Sequence, residues 1–457
     1  MSINNFDDYG PQIEAMASDW LDRAERNEIV VGILGLGYVG LPLADAFVSR
    51  GQTVVGFDVD KNKIDALHNK RSYIRHISDE KIARMVDSSR FSATTDFNAI
   101  SKVDAILLCV PTPLNEEYGP DLKYVEDSCR MIAPHLRKGQ MIVLESTTWP
   151  GTSEEVMRPI LEELSGLKAH KDFALAYSPE REDPGNENYG TTDIPKVVGA
   201  NTRGERDMAI ALYSKVTTAV EVSNLKTAEA VKLMENIYRL VNISLINELN
   251  VVFKEMGIDT WEVVKAAKTK PFGFQAFYPG PGIGGHCIPI DPFYLTYKAK
   301  EFGVSSEFIE HAGRVMRSLP KNVVDLAEKN LKERLKSDLT DAKVLVCGLA
   351  YKKNIDDMRE SPSLHIIDEL RARGAEVVYH DPYIPFVENF HEHPSMNGMK
   401  SLELTPENLE EISCVIITTE HRNVDYVKLA KLTPFIIDTR NATGDIYANF
   451  TDKIIKS

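Results

Sequence analysis

The chain has 457 residues, 43% of them hydrophobic and 26% charged, enough for two or three domains around substantial cores. Its 53 basic and 68 acidic side chains give a formal net charge of -15, which argues against nucleic acid or an anionic membrane as main partner. It leaves room for an anionic small ligand held by a local cluster of cations and helix N-termini. The five cysteines (Cys109, Cys129, Cys287, Cys347 and Cys414) are odd in number and never spaced as CxxC. They suggest neither a disulfide framework nor a Cys-based zinc site, no metal is expected, and a reducing cytoplasm fits them best.

Residues 1–28 open with MSINNFDDYGPQIEAMASDW, which is acidic and has no signal-type apolar core. They read as a polar extension, in part helical. No stretch approaches about 18 uninterrupted apolar residues, so no membrane span is expected. From Asn27 the pattern changes: NEIVVGILGLGYVGLPLADAFVSRGQTVVGFDVDKNKIDAL reads strand, glycine turn, helix, strand. The apolar run Ile29–Leu34 is short and rich in β-branched residues, as a buried parallel strand should be. Further strands are expected at Ala105–Val110, Met141–Glu145 and Phe173–Tyr177, with helical patterns between them. Such alternation predicts a doubly wound parallel sheet, assigned to residues 29–205.

A helical texture begins near Asn224. NLKTAEAVKLMENIYRLVNISLINELNVVFKEMG has no proline and a single glycine, at its end. Its apolar residues recur at helical spacing on more than one face, which predicts one long, widely buried helix. That helix suits a hinge and a subunit interface, so a homodimer or higher homo-oligomer is expected, with residues 206–320 as a central helical domain. From Asp341 a second α/β pattern follows: KVLVCGLA (strand), SPSLHIIDELRARGA (helix), EVVYHDP (strand), then SCVIITTEH and FIIDTR. Residues 321–457 therefore read as a weak structural repeat of the first domain. The repeat lacks a GxGxxG and should bind something other than a dinucleotide. The fold class is α/β, with two Rossmann-like domains joined by a helical one.

Three motifs carry chemistry. Gly35-Leu-Gly37-Tyr38-Val39-Gly40 follows a strand and opens a helix, and Asp58 ends the next strand 18 residues beyond Gly40. Gly35 permits the tight turn, Gly37 lets backbone approach a pyrophosphate, and Gly40 lets helix pack on strand. Asp58 would accept from ribose hydroxyls and repel a 2′-phosphate, favouring NAD over NADP. Lys232 and Asn236, spaced i,i+4, share a helix face. Thr112 in VPTP and Glu180 in SPER each follow a strand, at the end where open α/β sheets bind ligands. The third motif is YPGPGIGGHCIPIDP (278–292), too rich in Pro and Gly for helix or regular strand. It places Cys287 in an irregular loop, with Asp291 four residues on. A Cys-His pair suggests an activated nucleophile, but adjacent residues point apart, so His286 reads as structural.

GLGYVGLPLA, VPTPL, SPER..PG, KLMEN...NE, GGHCIPIDP and AYKKNIDDMRESPS occur in this order. The chain after the tail resembles the UDP-glucose/GDP-mannose dehydrogenase family. Within it, PGPGIGGHCIPIDPFYL is most similar to the UDP-N-acetylglucosamine 6-dehydrogenases. The resemblance implies oxidation of the C6 hydroxymethyl of a nucleotide sugar to a carboxylate with two NAD, through a thiohemiacetal and a thioester on Cys287. It implies oxyanion stabilisation by Lys232 and Asn236, positioning of the lysine and water by Asp291, and placement of water by Glu180 and Thr112. Relatives of the UDP-glucose type carry a further glutamate where this chain has Pro184; Glu182 and Asp183 lie nearby but out of register, so the hydrolytic base stays open. By the same resemblance Lys352 contacts the nucleotide sugar and Arg359 reaches toward NAD. Arg440 is a further candidate for the UDP, and Tyr278 and Gly284 line the sugar pocket. The expected substrate is UDP-N-acetylglucosamine, feeding surface polysaccharide or glycan synthesis. UDP-N-acetylmannosamine, UDP-N-acetylgalactosamine and UDP-glucose are alternatives. A non-catalytic NAD- or nucleotide-sugar-binding protein is the alternative of another class, disfavoured by the intact Lys232, Asn236, Cys287 and Asp291.

Overall fold

The computed structural model describes residues 10–74, 77–115, 119–181, 190, 192–285, 288–388, 390 and 393–457. Two units partition the chain: residues 1–235 with 293–304, and residues 236–292 with 305–457.

The first unit is built on eight strands: β1 (Val30–Leu34), β2 (Thr53–Phe57), β3 (Phe91–Thr94), β4 (Ala105–Leu108), β5 (Met141–Leu144), β6 (Ala174–Tyr177), β7 (Lys196–Ala200) and β8 (Ala219–Val222). Their order is β3-β2-β1-β4-β5-β6-β7-β8. Every residue of β4 to β7 is buried, as expected of strands covered by helices on both faces. All neighbours run parallel except β6 and β7. The strands β3, β7 and β8 extend the sheet beyond the five recognisable in the sequence.

The N-terminal segment is more than a polar extension. Residues Gly10–Glu25 form a helix that packs against the helix Arg203–Tyr213. Ile13, Ala17, Trp20 and Ala24, at helical spacing, are buried in the core of the first sheet. Gly204 makes the close approach possible: a Cβ there would lie 3.1 Å from that of Ala17. Arg23 then donates to Asp104 at the start of β4 at 2.8 Å, and Asp104 also accepts from the Val30 amide. The acidic residues fill the opposite face, so average composition hides the apolar stripe.

The long helix is Leu225–Glu255, 31 residues. Its burial is confined to one stripe, in contrast to the all-round burial expected from its composition. Leu225, Ala228, Glu229, Lys232, Leu233, Asn236, Leu240, Ser244 and Asn247 are buried, whereas Met234, Tyr238, Leu245, Val251 and Val252 are exposed. Helices Thr260–Ala267, Asp291–Glu301 and Glu307–Asn330 follow. No helix among the described residues is long and apolar enough to cross a membrane.

The second unit holds β9 (Lys343–Cys347), β10 (Glu376–His380), β11 (Cys414–Ile417), β12 (Ile436–Asp438) and β13 (Ile454–Lys456), all parallel, in the order β10-β9-β11-β12-β13. Apolar clusters cover both faces of this sheet, so the unit has its own core.

Candidate active site

The first sheet opens a cradle after β1. Gly35 has φ +92°, a left-handed conformation, and its amide donates to the Phe57 carbonyl at 2.8 Å. A Cβ at Gly40 would overlap the Gly35 carbonyl, so helix and turn meet only through glycine, whereas a Cβ at Gly37 would meet nothing within 4 Å. The loop is therefore closed toward the protein at Gly35 and Gly40 and open at Gly37, as a pyrophosphate cradle requires. Tyr38 is exposed and Val39 half-buried just before the helix Gly40–Ser49. Asp58, buried at the end of β2, accepts from Leu36 N and Lys63 Nζ on Oδ2 and from Asp60 N on Oδ1, each at 2.9 Å. Much of its acceptor capacity thus holds the turn itself; Lys63 beside it is a cation the motif did not announce.

The second sheet repeats this joint. Gly348 has φ +99° and donates to the His380 carbonyl; Asp381, ending β10, accepts from Leu349 N at 2.7 Å and Ala350 N at 3.0 Å. Asp381 also accepts from buried His421 Nε2 at 3.0 Å, and His421 Nδ1 accepts from Asn354 N at 3.0 Å. Two donor–acceptor contacts of opposite sense hold His421 in one tautomer and pin the loop that carries Lys352. Ala350 stands where the first unit has Gly37.

Beyond β5 and β6 lies a buried polar cluster absent from the sequence reading. Lys196 donates to Glu145 at 2.6 Å and lies 3.7 Å from Glu180; Tyr213 donates to the other Glu145 oxygen. Burial pushes the Glu145 carboxyl up. Burial opposes the Lys196 ammonium, yet Glu145 and Glu180 hold it protonated. Glu180 is half-buried and its Oε1 accepts from the Arg181 amide. Thr112 is buried after β4, and its carbonyl accepts from the Tyr294 hydroxyl at 2.7 Å. In the ESTTW run after β5, the Thr148 hydroxyl and Trp149 Nε1 are buried without a hydrogen-bond partner among the described residues. A buried hydroxyl left unpaired by protein is a candidate to hold water or ligand.

On the long helix, Lys232 is buried and makes no hydrogen bond or ion pair among the described residues. One turn later Asn236 donates through Nδ2 to Asp291 at 2.5 Å and accepts from Arg239 on Oδ1. Asp291, also buried, begins the helix Asp291–Glu301. Cys287 and His286 lie outside the described residues, as do Glu182, Asp183 and Pro184. Of the other cysteines, Cys129, Cys347 and Cys414 are buried, and burial pushes their thiols up, Cys129 to about 12. They are inert by placement.

In the second unit the loop 278–285 packs on the protein through its glycines. A Cβ at Gly280 would lie 2.5 Å from an Arg440 guanidinium nitrogen; one at Gly284 would lie 2.5 Å from Tyr351 Cβ; Gly282 abuts Pro362 and Gly285 the Tyr351 ring. The glycines are thus demanded by the chain's own side chains, not by thinness toward a ligand alone. Gly280 N donates to Asn247 at 3.0 Å, and Gly285 N to the Arg359 carbonyl at 3.0 Å. Tyr278 is exposed and stacks on Trp261, with centroids 5.2 Å apart. Arg440 donates through Nε to the Thr418 carbonyl at 3.0 Å. Tyr278, Gly284, the Lys352 loop and Arg440 therefore gather around one loop. Arg359 forms a two-pronged pair with Asp357 in its own segment, at 3.0 and 2.6 Å.

A glycine cradle of this shape, opening a helix and followed by an acidic residue at the end of the next strand, belongs to dinucleotide-binding α/β proteins. The sequence matches the UDP-glucose/GDP-mannose dehydrogenase family in its NAD binding domain over residues 29–217, its central domain over 226–317 and its UDP binding domain over 345–445. The chain belongs to that family and is an NAD-dependent UDP-sugar dehydrogenase. It is 38% identical over 80% of its length, and 86% of the relative's, to UDP-N-acetyl-D-glucosamine 6-dehydrogenase of Pseudomonas aeruginosa. Among solved structures it is similar to the UDP-D-ManNAc dehydrogenase of Pyrococcus horikoshii, with TM-score 0.81, 31% identity and 91% and 96% of the two chains covered. It is also similar to the NDP-N-acetyl-D-galactosaminuronic acid dehydrogenase of Methanosarcina mazei, with TM-score 0.78, 29% identity and 97% of each chain covered. The cradle fits NAD: among its glycines it is open at Gly37, and a carboxylate, Asp58, stands at the end of β2 as the dinucleotide-binding joint requires.

Proposed function

We propose that this enzyme oxidises the C6 hydroxymethyl of UDP-N-acetylglucosamine to a carboxylate, yielding UDP-N-acetylglucosaminuronate for a uronate-containing polysaccharide or glycan. The observation that carries this reading is the buried Asn236–Asp291 hydrogen bond, one turn from a buried Lys232 that has no partner among the described residues. The name of the relative at 38% identity supports the sugar. Bound NAD supplies the hydride acceptor, one molecule for each two-electron oxidation.

Lys232 and the Asn236 amide stabilise the C6 oxygen whenever it carries negative charge, and Asp291 fixes the amide's orientation. The C6 hydroxyl proton leaves to a water held by Glu180 and by hydroxyls of the Thr112 and Thr148 segments. The aldehyde formed has no alkoxide carbon able to give up a second hydride until a nucleophile adds. The Cys287 sulfur forms a bond to C6, the carbonyl pair moves to oxygen, and the thiol proton leaves to solvent. Loss of the second hydride makes a thioester. Water adds, the C–S bond breaks, and the thiolate is restored beside the carboxylate. Lys352 and Arg440 bind the diphosphate, and Tyr278 and Gly284 border the sugar. Thr112, with the cradle residues Gly35, Gly37, Tyr38, Val39, Gly40 and Asp58, holds the dinucleotide. The exposed apolar face at Met234, Tyr238, Leu245 and Val252 supports a homodimer.

The test is the molar ratio of NADH formed to UDP-N-acetylglucosamine consumed at saturating NAD. A ratio of two with an acid product is expected. Cys287→Ala should bind NAD normally and form no acid; wild-type acid yield in that variant would sink the covalent route. The same chemistry on UDP-N-acetylmannosamine is the second reading, favoured by the name of the Pyrococcus horikoshii structure. A much higher kcat/KM for that sugar would replace the first.

A further inference from the structure

We infer that Glu229 is a positioning residue that fixes Lys232 against the loop 146–153. The inference rests on the reading of Lys232 as the group that stabilises the C6 oxyanion. Glu229 precedes Lys232 by three residues, just under one turn of the long helix, and both lie in its buried stripe. The Glu229 carboxylate accepts from Gly151 N at 2.5 Å, Ser153 N at 2.9 Å and the Ser153 hydroxyl at 2.8 Å. These amides open a single π-helical turn, Ser153–Met157, that leads into the helix Arg158–Ser165. First-turn amides have no partner within their own helix, so an anion there is favoured.

What separates this from an ordinary cap is where the anion comes from. A hydroxyl is available locally, but Thr152 turns back to the Trp149 carbonyl at 2.9 Å, and Ser153 donates to Glu229 instead of capping. The cap arrives from a residue 76 positions further along the chain. It therefore joins the loop after β5 to the helix that carries Lys232. One turn earlier, Lys226 reaches Glu155 in the same π-helical turn at 3.0 Å, so Lys226, Glu229 and Lys232 succeed one another along the joined face. The loop itself presents the Thr148 hydroxyl, which has no hydrogen-bond partner among the described residues. A fully buried carboxylate with no cation bonded to it among the described residues is a poor way to gain stability, since its desolvation opposes the gain. It is a good way to fix one register, because three donors at set angles tolerate no sliding. Burial pushes the Glu229 carboxyl up to about 7, held from rising further by those donors.

The test is a double-mutant cycle on the full enzyme with NAD and the UDP-sugar it turns over. In Glu229→Gln the amide keeps its oxygen toward Ser153 and sets its NH2 against the Gly151 N–H, so one bond is lost and the helix shifts on the loop. The expected result is a roughly 10- to 100-fold fall in kcat, as for other displacements of about an ångström, with both KM values within about twofold. Glu229→Asp keeps the charge but withdraws it by one methylene, and should lie between Gln and wild type. In the Lys232→Ala background, Glu229→Gln should cause no further loss, because the residue it positions is gone. A full additional loss in that background, or a wild-type kcat in folded Glu229→Gln, overturns the inference. If Glu229→Gln does not fold, Glu229→Asp carries the same cycle. A wild-type rate for Lys232→Ala itself is a distinct result: it removes the oxyanion role of Lys232, and the inference with it.

Discussion

His170 sits between two carboxylates, with Nδ1 2.8 Å from Glu205 and Nε2 2.8 Å from Glu154, and is itself buried. Burial draws its pKa down, but Glu205 and Glu154 outweigh burial and lift it to about 10. A folded pKa above the unfolded value of about 6.5 means that the imidazolium stabilises the fold fully below that pH. The contribution is lost as pH rises toward 10. His170→Gln should cost roughly 3–5 kcal/mol near neutral pH, as for a buried pair stripped of one partner, and should flatten the decline in stability between pH 7 and 10. Urea unfolding at several pH values checks this; an unchanged slope would remove His170 as its source. Asp58 holds the cradle turn through Leu36 N, and in the proposed function it also accepts from the ribose. Asp58→Ala should therefore raise the KM for NAD, weaken discrimination against NADP and lower Tm together. A variant with unchanged cofactor preference would leave Asp58 only the turn.

At the scale of elements, the N-terminal helix is held by an apolar stripe centred on Trp20, which is fully buried. Trp20→Ala should cost about 3–5 kcal/mol, measured as a shift of the denaturation midpoint. The long helix leaves Leu245 exposed on its apolar face. Leu245→Glu should convert a dimer into monomer by light scattering, and a monomeric wild type would discard that proposal. Much of this layer was legible in the sequence. β1, the glycine turn and Asp58 are encoded within about 30 consecutive residues, and the long helix announces itself by the absence of proline. The Glu145–Lys196–Tyr213 cluster was not, because each member comes from a different strand or helix and none belongs to a short motif. Glu229 was hidden likewise: a glutamate in a helix reads as solvated until its partners are seen. The antiparallel step from β6 to β7 was also missed, since pairing direction leaves no trace in composition.

At the scale of the molecule, each unit has its own core and its own assigned ligand: NAD for residues 29–217, UDP for 345–445. Chains so divided unfold with more than one transition, and a ligand stabilises only what it binds. NAD alone should protect amides around residues 35–58 from hydrogen exchange, and UDP alone those around 348–362. Uniform protection by either ligand would show one cooperative body instead. The packing of the 278–285 loop has a practical reach for redesign. Directed evolution toward another UDP-sugar has little freedom at Gly280, Gly282, Gly284 and Gly285, where an added Cβ crowds Arg440, Pro362 or Tyr351. Libraries should keep those four invariant and vary Tyr278 instead, the exposed residue that the proposed function sets beside the sugar, where a change of shape leaves the frame of the loop standing.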